Sequence, residues 1–596
     1  MQPVESAQGF TPESFYVKGH DGTRLAMFIY GGADAALPRP VIWNYNRYNR
    51  AALSRQVIQS WGARFPALQK VLAASKSAPE GGGGLLLTGP LADLVRGGYL
   101  VALVDIRGTG SSFGVQTAPF SEDEALDAGA VLEWLAEQPF CNGKIGMVGR
   151  SYMGANQHVV AAAAAGRLTA IMPEMAPFDL YSTVYRGGIF RRDFATSWFS
   201  DIDRRDKVDS GAEVDGAEGA DLLSRARAEH GANRDLYAMF SQLPYRDSID
   251  QATGTRPYQA NSPGHDGTRF REPNVPVHHI AGWSDPFVKD ALLWFANIRS
   301  PKRLTIGPWS HSGSAGIDLG KQYRRWFDHW MCGAENGVME GPAIWYYMIG
   351  AATGDRWRST DQWPPQGFHP EPLFLTGGSS GTVESVNDGR LVTEPGGEGE
   401  ERDEYQVDYS ASSGKSTQWT NVYGGPFGYG DMSQNDRRCL TYTSGHLQRP
   451  LEMTGHPVAH LWVSSTAADG DFFVYLEQVA PDGSAAYVTE GSLRASHRQP
   501  AEPPHEYLGL PYQRSHEADV SSIDEEPVEL VFDLSPISWK FPEGARIRVT
   551  IACTDADNAP APVLTPPPVV SIHRSSRLSS FVVLPVRDEI CLRVTP

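Results

Sequence analysis

Five cysteines in 596 residues, at positions 141, 332, 439, 553 and 591, are too few and too scattered for a disulfide framework. No Cys-x-x-Cys and no Cys/His group at metal-ligand spacing occurs, which excludes a zinc-ribbon or dithiol redox motif. The thiols therefore read as reduced and buried. No uninterrupted apolar stretch reaches the roughly 20 residues that span a bilayer. The opening residues 1–6 lack a basic start followed by an apolar run, so no signal peptide is expected and the chain reads as cytoplasmic. Positive charge is also in deficit. Lys and Arg number 52 against 70 Asp and Glu, a net charge of −18. That balance repels nucleic acid and anionic membrane, so neither is expected as a partner. There is no internal repeat. Gly108-x-Gly110 follows a strand but lacks the third glycine of a dinucleotide fingerprint.

What is present is an ordinary globular composition, 41% hydrophobic and 20% charged, long enough for three or four domains. The most informative stretch is residues 144–154. A short apolar strand runs into Gly149-Arg150-Ser151-Tyr152-Met153-Gly154, and a small-residue helix follows, rich in alanine at 161–165. This is the sequence form of a nucleophile elbow, in which flanking glycines permit the sharp strand-to-helix turn that exposes a serine hydroxyl. The short pattern alone also suits an ordinary strand-glycine-helix turn. The order of acid and histidine further along the chain has to decide.

The first 178 residues read as strands alternating with helices. Two strands flank the turn His20-Asp21-Gly22, and another apolar strand begins at Pro40. Glycines 81–84 before residues 85–87 read as a flexible loop. The continuous apolar run 98–104 suits a parallel strand covered on both faces. Ser121 with Glu124 forms a capping box, and Ala128, Val131, Leu132 and Leu135 recur at helical spacing behind it. The progression predicts a doubly wound α/β sheet. Residues 179–275 change character and read as a mostly helical insertion. Parallel-sheet patterning returns over 276–365, and from 366 to 596 short strands with Gly/Pro turns predict a β-sandwich of jelly-roll type.

A serine needs a base to take its proton, and the base needs an orienting acid. In sheet hydrolases these come in the order Ser, Asp/Glu, His on loops at the carboxyl ends of strands. The strand at 277–281 leads to Asp285, and the strand at 303–306 leads to His311. Ser151, Asp285 and His311 are thus the expected catalytic triad. His158, His278 and His279 read as packing residues, and Asp105 with Arg107 as a structural ion pair. The oxyanion needs two donors. One is the backbone N–H of Tyr152; the other must come from the loop after an earlier strand, where Tyr45 and Tyr48 are equally eligible.

Together these motifs resemble the cocaine esterase and X-prolyl dipeptidyl peptidase family of serine hydrolases, which includes α-amino-acid ester hydrolases and glutaryl cephalosporin acylases. The matching features are Gly-x-Ser151-Tyr-x-Gly, the Asp105-x-Arg-Gly-x-Gly-x-Ser loop, Gly-Trp-x-Asp285 and Gly-Pro-Trp-Ser-His311. Phe327-Asp-His-Trp330, Trp357-Arg358, Trp363-Pro-Pro and the sandwich run from Leu440 through Gly455 to Ser496 match as well. The resemblance implies an α/β-hydrolase domain, a helical cap between serine and aspartate, and a C-terminal jelly roll. It also implies a tyrosine hydroxyl in the oxyanion hole, at the position that looks like Tyr45.

Amino-acid ester hydrolases carry acidic residues two and three positions after the catalytic aspartate. Here those positions are Phe287 and Val288, more like the apolar pocket of cocaine esterase, with Tyr185 and Trp198 at places similar to its aromatic pocket residues. The expectation is cleavage of a small-molecule ester whose acyl group lacks a free ammonium and is aromatic in the best-fitting case. No metal or organic cofactor is expected, and a homodimer stays open. Amide cleavage by a dipeptidyl aminopeptidase or acylase, and acyl transfer to another nucleophile, are the rival activities. A binding protein that has lost activity is the rival of another class. Arg150 departs from the smaller residues usual before the nucleophile, and either a salt bridge beneath the elbow or an electrostatic bias of the site would account for it.

Overall fold

The computed structural model of the chain describes residues 12–32, 37–48, 89–163, 166–209, 211–264, 275–396, 401–423 and 427–593. The opening residues 1–6, the glycine run with residues 85–87 and the end of the alanine run (164 and 165) lie outside the described residues. Strands β1 (Glu13–Lys18) and β2 (Arg24–Tyr30) form the hairpin turned at Gly22, whose φ is 88°. β3 (Arg39–Asn46), β4 (Leu100–Asp105), β5 (Cys141–Arg150) and β6 (Ala170–Glu174) follow. Next come the elements between β6 and the second half of the sheet. They are helices Leu180–Val184, Arg192–Lys207, Gly219–His230, Leu236–Phe240 and Pro257–Ala260, and a two-stranded ribbon of β7 (Tyr185–Arg186) and β8 (Ile189–Phe190). β9 (Val277–Ser284), β10 (Lys302–Ser310), β11 (Ile344–Tyr347) and β12 (Trp357–Thr360) complete the main sheet.

Among the described residues this sheet has ten strands in the order β1-β2-β4-β3-β5-β6-β9-β10-β11-β12. Its interior, from β4 to β11, is parallel. β4 is buried along its whole length, as a continuous apolar run demands. Side chains alternate between two cores. Val41, Trp43 and Tyr45 of β3 face one core with Ala128, Val131 and Leu132 of helix Glu122–Glu137. Ile42 faces the other, with Leu94 and Val95 of helix Gly89–Arg96 and Trp326 and Phe327 of helix Leu319–Cys332. The chain leaves β3 toward β4 on one side and returns to β5 on the other. That order reversal opens a crevice at the carboxyl ends of β3 and β5, the usual ligand position in such sheets.

Ser121 accepts from the Glu124 N–H, but the carboxylate of Glu124 turns away from the capping box and takes the Tyr152 hydroxyl (2.9 Å) and Gln116 (3.1 Å) instead. From residue 369 to 586, thirteen strands form one hydrogen-bonded set among the described residues around a large apolar core, with a smaller cluster around Phe473, Tyr475 and Ala552. The large core continues into Ala281, Trp283, Leu304 and Ile344 of the main sheet. The architecture is the α/β-hydrolase fold with a C-terminal β-rich domain. No described helix is long and apolar enough to cross a membrane.

Candidate active site

Ser151 sits between β5 and helix Tyr152–Ala163 with φ 61°, a left-handed conformation that costs a serine energy and marks the elbow. Two glycines make the turn possible. A Cβ at Gly149 would lie 2.6 Å from the Met153 Cβ, and one at Gly154 would lie 2.8 Å from the Glu174 carbonyl. The Tyr152 N–H heads the helix, where first-turn amides have no intrahelical acceptor and the helix dipole favours negative charge. The Tyr152 ring stacks on Phe120 (centroids 4.1 Å apart), and its hydroxyl is fixed by Glu124 and by the Phe120 N–H (2.9 Å). Burial pushes the Glu124 carboxyl up to about 7, although hydrogen bonds from Gln116 and Tyr152 oppose the shift.

Asp285 lies just past the end of β9 and is completely buried. One of its oxygens accepts from the Phe287 N–H (2.7 Å), and the other holds His311 Nδ1 at 2.5 Å. His311 follows β10 directly, so adjacent parallel strands deliver the acid and the base side by side. The Phe287 ring meets the His311 ring edge-on, with centroids 5.5 Å apart, and also lines the cavity that contains Ser151. That cavity is apolar and aromatic. Its walls include Tyr48, Phe120, Leu180, Phe194, Trp198 and Val422, and none of its lining side chains is charged.

Not every expected residue arrives there. Tyr45 lies inside β3, paired with Val104, and alternation turns its ring into the core beside Trp43. Its hydroxyl donates to the Glu124 carbonyl at 3.4 Å, and it does not line the Ser151 cavity. Tyr48, two residues beyond the carboxyl end of β3, lines the cavity together with Ser151 and Trp198. The tyrosine at the site is therefore Tyr48, and the assignment of Tyr45 is corrected. The place where the strand ends is the signal that separates them. Tyr185 is likewise displaced. Its hydroxyl donates to the carbonyls of Phe240 and Ser241, and it lines a neighbouring polar cavity that shares only Thr183 and Phe287 with the first. Trp198 and Phe287 do line the Ser151 cavity.

Arg107 pairs with Asp127 (2.6 and 2.7 Å) rather than with Asp105, whose carboxylate instead accepts from the Ser111 N–H at 3.0 Å. His20, Asp21 and Asp127 lie at metal-ligand spacing, but the Arg107 guanidinium already supplies their positive charge. His158 packs face to face on Trp294 (3.8 Å) and stacks on His279 (5.1 Å), while His278 meets the Thr305 hydroxyl at 3.0 Å. Their burial holds all three imidazoles neutral.

The fold and the strained serine beside an aspartate-histidine pair define a serine hydrolase of the α/β class. Residues 21–313 match the X-Pro dipeptidyl-peptidase (S15 family) description, and residues 336–568 match the X-Pro dipeptidyl-peptidase C-terminal non-catalytic domain. The chain belongs to this family, which has both esterase and X-Pro peptidase members. A provisionally named serine esterase of Mycobacterium tuberculosis is 29% identical, over 97% of this chain and 96% of the relative. Cocaine esterase of Rhodococcus sp. is 28% identical, over 80% of this chain and 82% of its own length. Among solved structures, a CocE/NonD family hydrolase from Staphylococcus aureus superposes with a TM-score of 0.71 at 19% identity. That match covers 96% of this chain and 93% of the other.

Proposed function

We propose that this protein hydrolyses carboxylic esters through an acyl-enzyme on Ser151. The observation that carries the reading is the aromatic, uncharged cavity around Ser151 beside the Asp285–His311 pair. Asp285 occupies Nδ1, which leaves Nε2 of His311 as the base that takes the Ser151 proton while the hydroxyl attacks the carbonyl. The Tyr48 hydroxyl and the Tyr152 N–H hold the oxyanion. His311 then protonates the leaving oxygen and activates water for deacylation. An acyl group without a charge, aromatic for the best fit, fills the cavity.

Amide cleavage after a dipeptide would require a carboxylate for the free amine. The carboxylates that line the adjoining cavity are committed, Asp179 to Arg246 (2.7 Å), Asp290 to the Phe178 N–H (2.6 Å) and Asp533 to Lys289 (2.8 Å). The test pairs two measurements. A fluorophosphonate should add its mass to the peptide containing Ser151 and to no other. Aryl esters should turn over far faster than dipeptidyl-proline anilides. An unlabelled native protein would remove the hydrolase reading, and preference for the anilides would replace esterase with peptidase.

A further inference from the structure

Arg150 stands where a small side chain is expected before a nucleophile, and the structure gives it three hydrogen bonds to two partners. Its Nε and Nη2 both donate to one oxygen of Glu174 (3.0 and 2.7 Å), the residue opposite it in the parallel pairing of β5 with β6. Its Nη1 donates to the backbone carbonyl of His311 at 3.1 Å. The second Glu174 oxygen takes the Tyr323 hydroxyl from helix Leu319–Cys332, and the Glu174 carbonyl takes the Ser151 N–H at 2.9 Å. One guanidinium thus touches the elbow strand, its neighbour and the histidine loop.

The geometry assigns Arg150 as a positioning residue that locks the backbone of His311 to the nucleophile elbow. This rests on the triad reading above. His311 is otherwise fixed through its ring, by Asp285 at Nδ1. Three further bonds steady the loop, Ser312 N–H to Asn421 Oδ1 (3.3 Å), Trp309 Nε1–H to the Ala315 carbonyl (2.8 Å) and Gly313 N–H to the Ser310 carbonyl (3.1 Å), but none is made by residue 311 itself. A ring held at one nitrogen can still pivot about that bond, and the Arg150 contact removes the pivot at its backbone end. Because Glu174 neutralises the guanidinium, the contribution is one of geometry rather than of net charge. Only arginine can place two N–H groups on a carboxylate while a third reaches another acceptor; lysine keeps the ion pair and loses the reach. Misplacing a catalytic group by about 1 Å can cost around a hundredfold in rate.

The experiment compares wild type, Arg150→Lys and Arg150→Ala on one aryl ester, with melting temperature as the check on folding. Arg150→Lys should lower kcat at least about tenfold with KM within about twofold, since the acyl cavity is untouched. Arg150→Ala should lose more and regain about tenfold with added guanidinium ion but not with ammonium, whose point charge lacks the planar fork. A kcat for Arg150→Lys within about twofold of wild type, or a loss confined to KM, overturns the assignment. So does failure of guanidinium to restore a folded Arg150→Ala protein. If Arg150→Ala does not fold, Arg150→Lys alone decides. Fluorophosphonate labelling of wild-type Ser151 separates the two readings, because its absence sinks the hydrolase itself whatever the Arg150 variants do.

Discussion

At the scale of single residues, the two tyrosines of the β3 region make the sharpest test. Tyr48 shares the cavity wall with Ser151, whereas Tyr45 is sealed into the core with one long hydrogen bond. Losing an oxyanion donor typically costs about 2.7–4 kcal/mol, a factor of about 10²–10³ in turnover. Tyr48→Phe should show that loss in kcat at an unchanged melting temperature. Tyr45→Phe should leave kcat within a few-fold and change stability by about 1 kcal/mol or less, since its hydroxyl bond is weak. Steady-state turnover of one aryl ester by both variants checks this, and the reverse ranking would return the oxyanion role to Tyr45. The placement of Ser151, Asp285 and His311 was legible in the sequence because each sits just beyond a strand, where patterning is easiest to read. Which tyrosine lines the cavity was not. Choosing between Tyr45 and Tyr48 needs the last residue of β3, and strand ends are where sequence patterns are weakest. Tyr185 was misplaced for a related reason, because periodicity says nothing about which of two adjoining cavities a residue of the β7–β8 ribbon lines.

At the scale of elements, three of them meet in a buried ring stack: His158 from helix Tyr152–Ala163, His279 from β9 and Trp294 from helix Val288–Asn297. Burial alone drives the His158 imidazole down to about 3. Its folded pKa lies below its unfolded value near 6.5, so the unfolded chain binds the extra proton. The stability it contributes is complete above about pH 6.5 and is lost progressively as pH falls toward 3. His158→Phe keeps a flat ring on Trp294 and removes the titration. The variant should match wild type at pH 8 and exceed it by about 2–3 kcal/mol at pH 4.5, read from urea unfolding at both pH values. An equal acid sensitivity in the two proteins would show that this histidine is not what limits acid stability. The same elements show which patterns could be read in advance. Apolar runs such as β4 and the helical spacing of Ala128 to Leu135 depend on local period, and they fold as that period requires. The capping box failed in its second half because Glu124 finds a tertiary partner in Tyr152, which no local window contains.

At the scale of the whole molecule, the β-rich domain is part of the hydrolase rather than an appendage to it. Its core is continuous with Ala281, Trp283 and Ile344 of the main sheet, and its residues Trp419 and Asn421 touch Phe287 and the Ser312 N–H. An ion pair ties the two together close to Asp285. Lys289, four residues after Asp285, donates to Asp533 (2.8 Å) and to the Tyr507 hydroxyl (2.9 Å). The Asp533 carboxyl is held well below its usual range despite a burial that pushes the other way, because the Lys289 ammonium lies beside it. Removing one partner of such a pair leaves a buried charge unmatched and typically costs 3–5 kcal/mol, whereas replacing both with apolar groups is often neutral. Lys289→Met should therefore destabilise the protein by about that amount, and Asp533→Leu added to it should recover most of the loss. Because helix Val288–Asn297 starts beside Phe287, Lys289→Met should also depress aryl-ester turnover in the folded protein, and the double variant should restore it. Thermal and urea unfolding alongside kcat for the single and double variants measures both effects. If the single change cost no stability, or the double cost as much as the sum of its parts, the Lys289–Asp533 contact beside Asp285 would have no part in joining the two domains or in holding the site.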